Sequence, residues 1–105
     1  MIKQIKSSEI KNYIKKNSNV VLLDVRTENE WMSLGKPKAE DLNSKTYFVT
    51  VSPDLSNWQV PDPNFVENVK KNIDKDKTIL VMCAAGGRSM IAANLLKAEG
   101  YTALN

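Results

Sequence analysis

The chain has 105 residues, the size of one domain with one core. Its 42% hydrophobic and 26% charged composition is that expected of a soluble globular protein. Fifteen Lys and Arg against twelve Asp and Glu leave a net charge of +3, but only Lys11, Lys15 and Lys16 approach a basic cluster, so a solvated helix face is expected and no nucleic acid.

In chain order, Ser7 or Ser8 can cap a first helix running to Lys16, with Ile10, Tyr13 and Ile14 on one face. Val20-Val21-Leu22-Leu23 is a continuous apolar run of strand length, the pattern of a strand covered on both faces, and it leads into Asp24-Val25-Arg26. Thr27 or Glu28 opens a short helical turn holding Trp31, read as a hydrophobic plug, and Met32, read with Met82 and Met90 as a gap-filler. Residues 33 to 46 are polar, with Gly35 and Pro37, and are expected to be loop. A second strand is expected over residues 47 to 51. A long loop rich in proline follows from 52 to 63, in which Trp58 is a candidate pocket wall. Asn64 followed by Glu67 has the form of a capping box opening a helix with Val66, Val69 and Ile73 on one side. Residues 74 to 77 form a turn, 78 to 82 a third strand, and 89 to 99 a helix with Ile91, Leu95 and Ala98 on one face, ended by Gly100. A last strand begins at Tyr101. Apolar strands alternating with amphipathic helices predict a parallel sheet with helices on both faces, whose ligands bind beyond the carboxyl ends of the strands. Asp24 and Cys83 both fall at such ends.

Cys83 is the only cysteine and the chain has no histidine. No internal disulfide is therefore possible, a reducing compartment is expected, and the commonest metal ligand and general base are both missing. The opening residues lack an apolar signal core, and the longest apolar run, residues 79 to 85, is too short to span a bilayer. A soluble cytoplasmic protein with neither metal nor cofactor is expected. A buried cysteine is ordinarily a small hydrophobe. Here Ala84, Ala85, Gly86 and Gly87 follow it with small or absent side chains, so their backbone N–H groups can turn toward a ligand, and the next helix adds the positive end of its dipole. Such a ring of donors lowers a thiol's pKa from about 8.5 toward neutrality, which makes an activated thiolate in an anion-binding cradle. Arg88 stands five places after the cysteine. The Cys-x4-Arg spacing is one residue shorter than the Cys-x5-Arg loop of cysteine phosphatases, and it suits a single sulfur atom better than a tetrahedral oxyanion.

The stretches LLDVRTENEW and ILVMCAAGGRSMIAANLLKAEGY resemble the rhodanese-like sulfurtransferase family, through its Asp-Val-Arg element and its Cys-to-Arg loop and helix. The resemblance implies a single α/β domain over 1–105, with a five-stranded parallel sheet flanked by helices on both faces. It implies that Cys83 carries a sulfane sulfur as a persulfide, bound by the loop of Ala84, Ala85, Gly86, Gly87, Arg88 and Ser89. It further implies that Asp24 is a structural carboxylate beside the pocket and that Arg26 and Glu30 form an ion pair bracing the adjoining loop. For Arg88, bracing through carbonyls or an acid such as Glu28 is expected. Gly35-Lys36-Pro37 and PDPNF are similar to stretches of a bacterial subgroup. The family usually continues past the last strand, so a chain stopping at Asn105 is either minimal or truncated. Many members carry a basic residue directly after the cysteine. Ala84 in that place shifts the expected donor from thiosulfate toward an uncharged persulfide or a protein.

The expected activity is thus transfer of a sulfane sulfur from a small donor to a thiol or protein acceptor through Cys83, by a monomer or weak dimer that uses no membrane. The alternative is a non-catalytic rhodanese-like module that senses or docks, with Cys83 as a redox-sensitive thiol.

Overall fold

Two apolar runs form the middle of the sheet because neither has a polar face to turn to water. The computed structural model describes residues 9–16, 19–34, 46–82 and 87–104. Within them the strands are β1 (Val20–Asp24), β2 (Thr46–Phe48), β3 (Thr78–Met82) and β4 (Thr102–Leu104). All pair in parallel in the order β2-β1-β3-β4. β1 and β3 match along their full length, from Val20 opposite Thr78 to Asp24 opposite Met82. Among the described residues the sheet has four strands where five were expected. The second strand is also shorter than residues 47 to 51 suggested. After Phe48 the chain leaves the regular ladder, although Val49 N–H still donates to Asp24 O at 3.1 Å and Val51 N–H to Val25 O at 3.2 Å.

The helices are α1 (Ile10–Lys16), α2 (Glu28–Leu34), α3 (Phe65–Lys70) and α4 (Gly87–Ala98). Successive residues of β1 point to opposite faces, and both faces are covered. Val21 and Leu23, with Ile79, Val81 and Ala103, pack against Phe65 and Val69 of α3 and Ala92, Ala93 and Leu96 of α4. Val20, Leu22, Leu80 and Leu104 form the opposite cluster with Tyr13 of α1 and Met82. The expected helices on both faces are therefore present.

Several local expectations shift. The buried face of α4 is Ser89, Ala92, Ala93 and Leu96. Ile91 and Leu95 are only half-buried and Ala98 is exposed, because the small Ala92 and Ala93 let the helix lie close on the sheet. Met32 is exposed and fills no gap. Phe65 is fully buried. The capping box expected at Asn64 is not made: the Asn64 side chain caps nothing, and Asn64 N–H instead donates to Asp62 Oδ1 at 2.9 Å. The capping box lies one helix earlier, at the start of α2. There Thr27 N–H and Thr27 Oγ1 both donate to Glu30 Oε1 at 3.1 Å, and Glu30 N–H returns to Thr27 Oγ1 at 3.4 Å. Gly100 ends α4 at φ 96°, the left-handed terminator that its position suggested.

Candidate active site

β1 and β3 end side by side at the carboxyl edge of the sheet, joined by Val25 N–H donating to Met82 O at 3.0 Å. The chain leaves Met82 directly into Cys83, and α4 begins at Gly87. Cys83, Ala84, Ala85 and Gly86 lie outside the described residues. The structure describes the frame in which that loop is set: the strand that leads into it, the helix that takes it up, and the side chains clamped on its far end.

The first part of the frame is Asp24, whose side chain is fully buried at the end of β1. A carboxylate there must be fully hydrogen-bonded, since an unpaired buried charge is very costly. Arg26, two residues on, meets that need. Its backbone N–H and Nε donate to Asp24 Oδ1 at 3.0 Å, and its Nη2 donates to Oδ2 at 2.8 Å. The Arg26 guanidinium is held above its ordinary pKa, chiefly by this hydrogen bonding, with burial working against it.

The second part is Glu30. Besides its place in the capping box, it takes the Arg88 guanidinium in two parallel bonds, Nη1 to Oε1 at 2.6 Å and Nη2 to Oε2 at 2.8 Å. Both side chains are largely shielded, 10% exposed for Arg88 and 13% for Glu30. The Arg88 hydrogen bonds pull the Glu30 carboxyl down to about 2, against the upward push of burial and with help from Thr27. The expected Arg26–Glu30 pair is therefore corrected. Arg26 is satisfied across its own turn by Asp24, which leaves Glu30 to face Arg88. Glu28, the acid suggested as the partner of Arg88, is replaced by Glu30, which the capping box aims inward.

The third part is Trp58, placed in the 52–63 loop as a pocket wall. Its ring lies so close to Gly87 that a Cβ on that residue would sit 2.9 Å from Cη2 and 3.0 Å from Cζ3. Gly87 is thus required by close approach and not by its φ. The Trp58 backbone is anchored from below, where the buried Ser52 hydroxyl donates to Trp58 O at 2.6 Å. Ser89, counted with the loop, is buried in the first turn of α4. Asp24, Arg26, Glu30, Gly87, Arg88, Ser89 and Trp58 therefore gather at one edge of the sheet, where β1 and β3 end and α4 begins. Trp31 sits beneath this edge, half-buried and edge-on to Phe48, with ring centroids 5.1 Å apart. Among the described residues, no group of three or more His, Cys, Asp or Glu is placed to hold a metal ion, and no helix is long and apolar enough to cross a membrane. Ser52 and the Thr27 cap were not anticipated as parts of this edge. The Thr-x-x-Glu spacing at 27 to 30 was the available signal for the cap.

Comparison with known proteins agrees with this frame. The family model of the rhodanese-like domain matches residues 7–104. The uncharacterized protein RP600 of Rickettsia prowazekii is 34% identical over 101 residues, covering 96% of this chain and 76% of its own. The crystal structure of Rv0390 from M. tuberculosis superposes with a TM-score of 0.80 at 25% identity, over 97% of this chain and 74% of that one. A rhodanese-related protein from Thermoplasma volcanium shares the fold with a TM-score of 0.64 at 24% identity, over 97% of this chain and 80% of its own. With its sheet, its Cys-to-Arg loop and its braced α4 in hand, the chain belongs to the rhodanese-like domain family.

Proposed function

We propose that the protein is a sulfurtransferase working by double displacement on Cys83. The Cys83 thiolate attacks the sulfane sulfur of a donor. A new S–S bond forms, the donor's own bond to that sulfur breaks, and the remainder departs with the electron pair. An acceptor nucleophile (cyanide in an assay, a thiol or a protein thiolate in the cell) then takes the outer sulfur and restores the thiolate. This is covalent catalysis with a persulfide intermediate and ping-pong kinetics. The reading extends to a cytoplasmic protein acting as a monomer or weak dimer.

The observation that carries the reading is the bracing of the first turn of α4. Arg88 is fastened bidentately to Glu30 and Gly87 is pressed against Trp58, so the first turn of a 12-residue helix is held in place at the far end of the Cys83 loop. Fixed N–H donors and a helix N-terminus favour the thiolate and spread the charge of a persulfide.

The test is intact-mass measurement of the folded protein after incubation with thiosulfate or with a low-molecular-weight persulfide. Gain of one sulfur, removed by cyanide and missing in Cys83→Ser, is the expected result. Folded protein that takes no sulfur from any donor would show the domain to be a non-catalytic sensing or docking module.

A further inference from the structure

Trp58 is a large ring that the core does not use: it is 37% exposed and belongs to neither hydrophobic cluster. Its backbone is nonetheless fixed from several sides. Val51, fully buried, closes the loop with both of its backbone groups. Its N–H donates to Val25 O, just past β1, at 3.2 Å, and its C=O accepts from Asp62 N–H at 2.7 Å. Asn57 N–H donates to Asp54 O and Val60 N–H to Asn57 O, both at 3.1 Å, on either side of Trp58. Between them the fully buried Ser52 hydroxyl donates to Trp58 O at 2.6 Å. Buried polar groups are found where they have a bond to make, and the bond made here holds the residue that carries the ring.

The ring so held bears on the backbone of α4. A Cβ on Gly87 would lie 2.9 Å from Cη2, 3.0 Å from Cζ3 and 3.7 Å from Cζ2, so the far edge of the indole meets the first residue of the helix with nothing between. Gly87 directly follows Gly86, the last residue of the Cys83 loop outside the helix. The other support of this turn, Arg88 on Glu30, grips at the end of a long side chain, with several rotatable bonds between the guanidinium and the helix backbone. A tryptophan ring turns about only two angles, and its contact with Gly87 is direct. The clasp and the ring thus act on different parts of the turn, and it is the ring that meets the backbone adjoining the Cys83 loop.

Resting on the sulfurtransferase reading, we propose that Trp58, seated by Ser52, is a positioning residue for Cys83: its ring fixes Gly87, and with it the end of the loop on which the thiolate depends. Trp58 acts through Gly87 and takes no part in the bonds made and broken. Backbone N–H groups stabilise a thiolate most when they are already held toward the sulfur before it ionises. With the indole removed, Gly87 gains room to move. The loop then samples orientations in which that stabilisation is weaker, and the thiol becomes less acidic.

Cys83 is the only thiol in the chain, so its alkylation by iodoacetamide can be followed alone and without any sulfur donor. The rate is measured against pH for folded wild type, Trp58→Ala, Trp58→Phe and Ser52→Ala, and for Gly100→Ala, which strains the opposite end of α4. The wild-type midpoint is expected below the ordinary thiol value of about 8.5. In Trp58→Ala it should rise by about one pH unit, which lowers the thiolate fraction at neutral pH about tenfold. Sulfur uptake at neutral pH, read by intact mass, should slow by about threefold only, because the more basic thiolate is the better nucleophile. Trp58→Phe should restore most of the midpoint. Ser52→Ala keeps the ring and loosens its backbone; it should shift the midpoint the same way by less, and it tests the seat even where Trp58→Ala fails to fold. Gly100→Ala lowers stability and should leave the midpoint in place, which a merely structural role for Trp58 would not distinguish. A midpoint unmoved in Ser52→Ala and in every Trp58 variant that folds overturns the proposal, and with sulfur still taken up it leaves the sulfurtransferase reading standing. A midpoint moved as far by Gly100→Ala, or a wild-type midpoint already at about 8.5, overturns the proposal as well. A midpoint that depends on Trp58 in a protein that takes sulfur from no donor overturns the sulfurtransferase reading instead.

Discussion

Glu30→Gln separates the charge of the Arg88 clasp from its shape. Glutamine keeps the length and the acceptor oxygen of glutamate, and it serves in a capping box as glutamate does, so α2 keeps its cap. What is lost is the ionised partner of a guanidinium only 10% exposed. The folded Glu30 carboxyl titrates at about 2 against 4.5 in the unfolded chain. Since one unit represents about 1.4 kcal/mol, the clasp stabilises the fold by about 3 kcal/mol where Glu30 is ionised in both states. A folded value depressed below the unfolded one means that the unfolded chain binds the proton first. The contribution is therefore complete above pH 4.5 and is lost as the pH falls from there through 2. The assay is urea unfolding, followed by circular dichroism, of wild type and Glu30→Gln at intervals from pH 7 to pH 3. All other carboxylates titrate alike in the two proteins, so the difference isolates Glu30. At pH 7 the variant should be less stable by about 3 kcal/mol, and the gap should narrow by about 2 kcal/mol by pH 3. Two curves that run parallel over the whole range would refute the argument, since they would show that Glu30 titrates in the folded protein as it does in the unfolded one.

Gly87→Ala places a methyl 2.9 Å from the Trp58 ring and should cost about 1–3 kcal/mol in urea unfolding, although alanine is the better helix former by about 1 kcal/mol. In a Trp58→Ala background the sign should reverse, and a cost that persists there would exclude the ring contact as its cause. Gly100→Ala forces a side chain into φ 96° and should lower stability by about 1–2 kcal/mol, read as a fall in Tm. Ser52→Ala removes the buried hydroxyl that holds Trp58 O, and should cost about 1–3 kcal/mol in urea unfolding.

The central strands were legible because their burial is two-sided. Val20 to Leu23 and Ile79 to Val81 have no polar position in them, so a continuous apolar run could be read directly as an inner strand. Gly100 was legible for a similar reason, since one residue type serves one backbone conformation. The pairing of charges was less so. Asp24, Glu28 and Glu30 all lie within a few positions of Arg26, and local spacing does not say which of them faces Arg88, 58 residues beyond Glu30. That choice is made by the sheet, which sets the ends of β1 and β3 side by side and brings the starts of α2 and α4 together. The capping boxes show the same limit. Asn64-x-x-Glu67 and Thr27-x-x-Glu30 both fit the pattern, but Asp62 takes the Asn64 N–H before the box can close. The seat of Trp58 on Gly87 depends on a loop with no regular period, which is where sequence patterning has least to say.

The distribution of arginine ties composition to the site. In a chain whose cations are almost all lysine, the two arginines, Arg26 and Arg88, stand at the same sheet edge, each gripping a buried or nearly buried carboxylate with two or more N–H groups. Lysine offers a strongly hydrated point charge on a flexible stem. It could neutralise Asp24 or Glu30, but it could not fix the orientation of the backbone that carries it. The planar guanidinium does both. Through Arg26 it shapes the turn that leaves β1, and Thr50 Oγ1 completes that turn by donating to Arg26 O at 2.9 Å. Through Arg88 it holds the first turn of α4 to α2, while Trp58 bears on the neighbouring Gly87. In the proposed sulfurtransferase, a loop whose N–H groups bind one sulfur atom would need its far end fixed in rotation as well as in position. A two-point ionic grip beside an apolar seat supplies both constraints at the first turn of α4, with each arginine of the edge paired to a carboxylate.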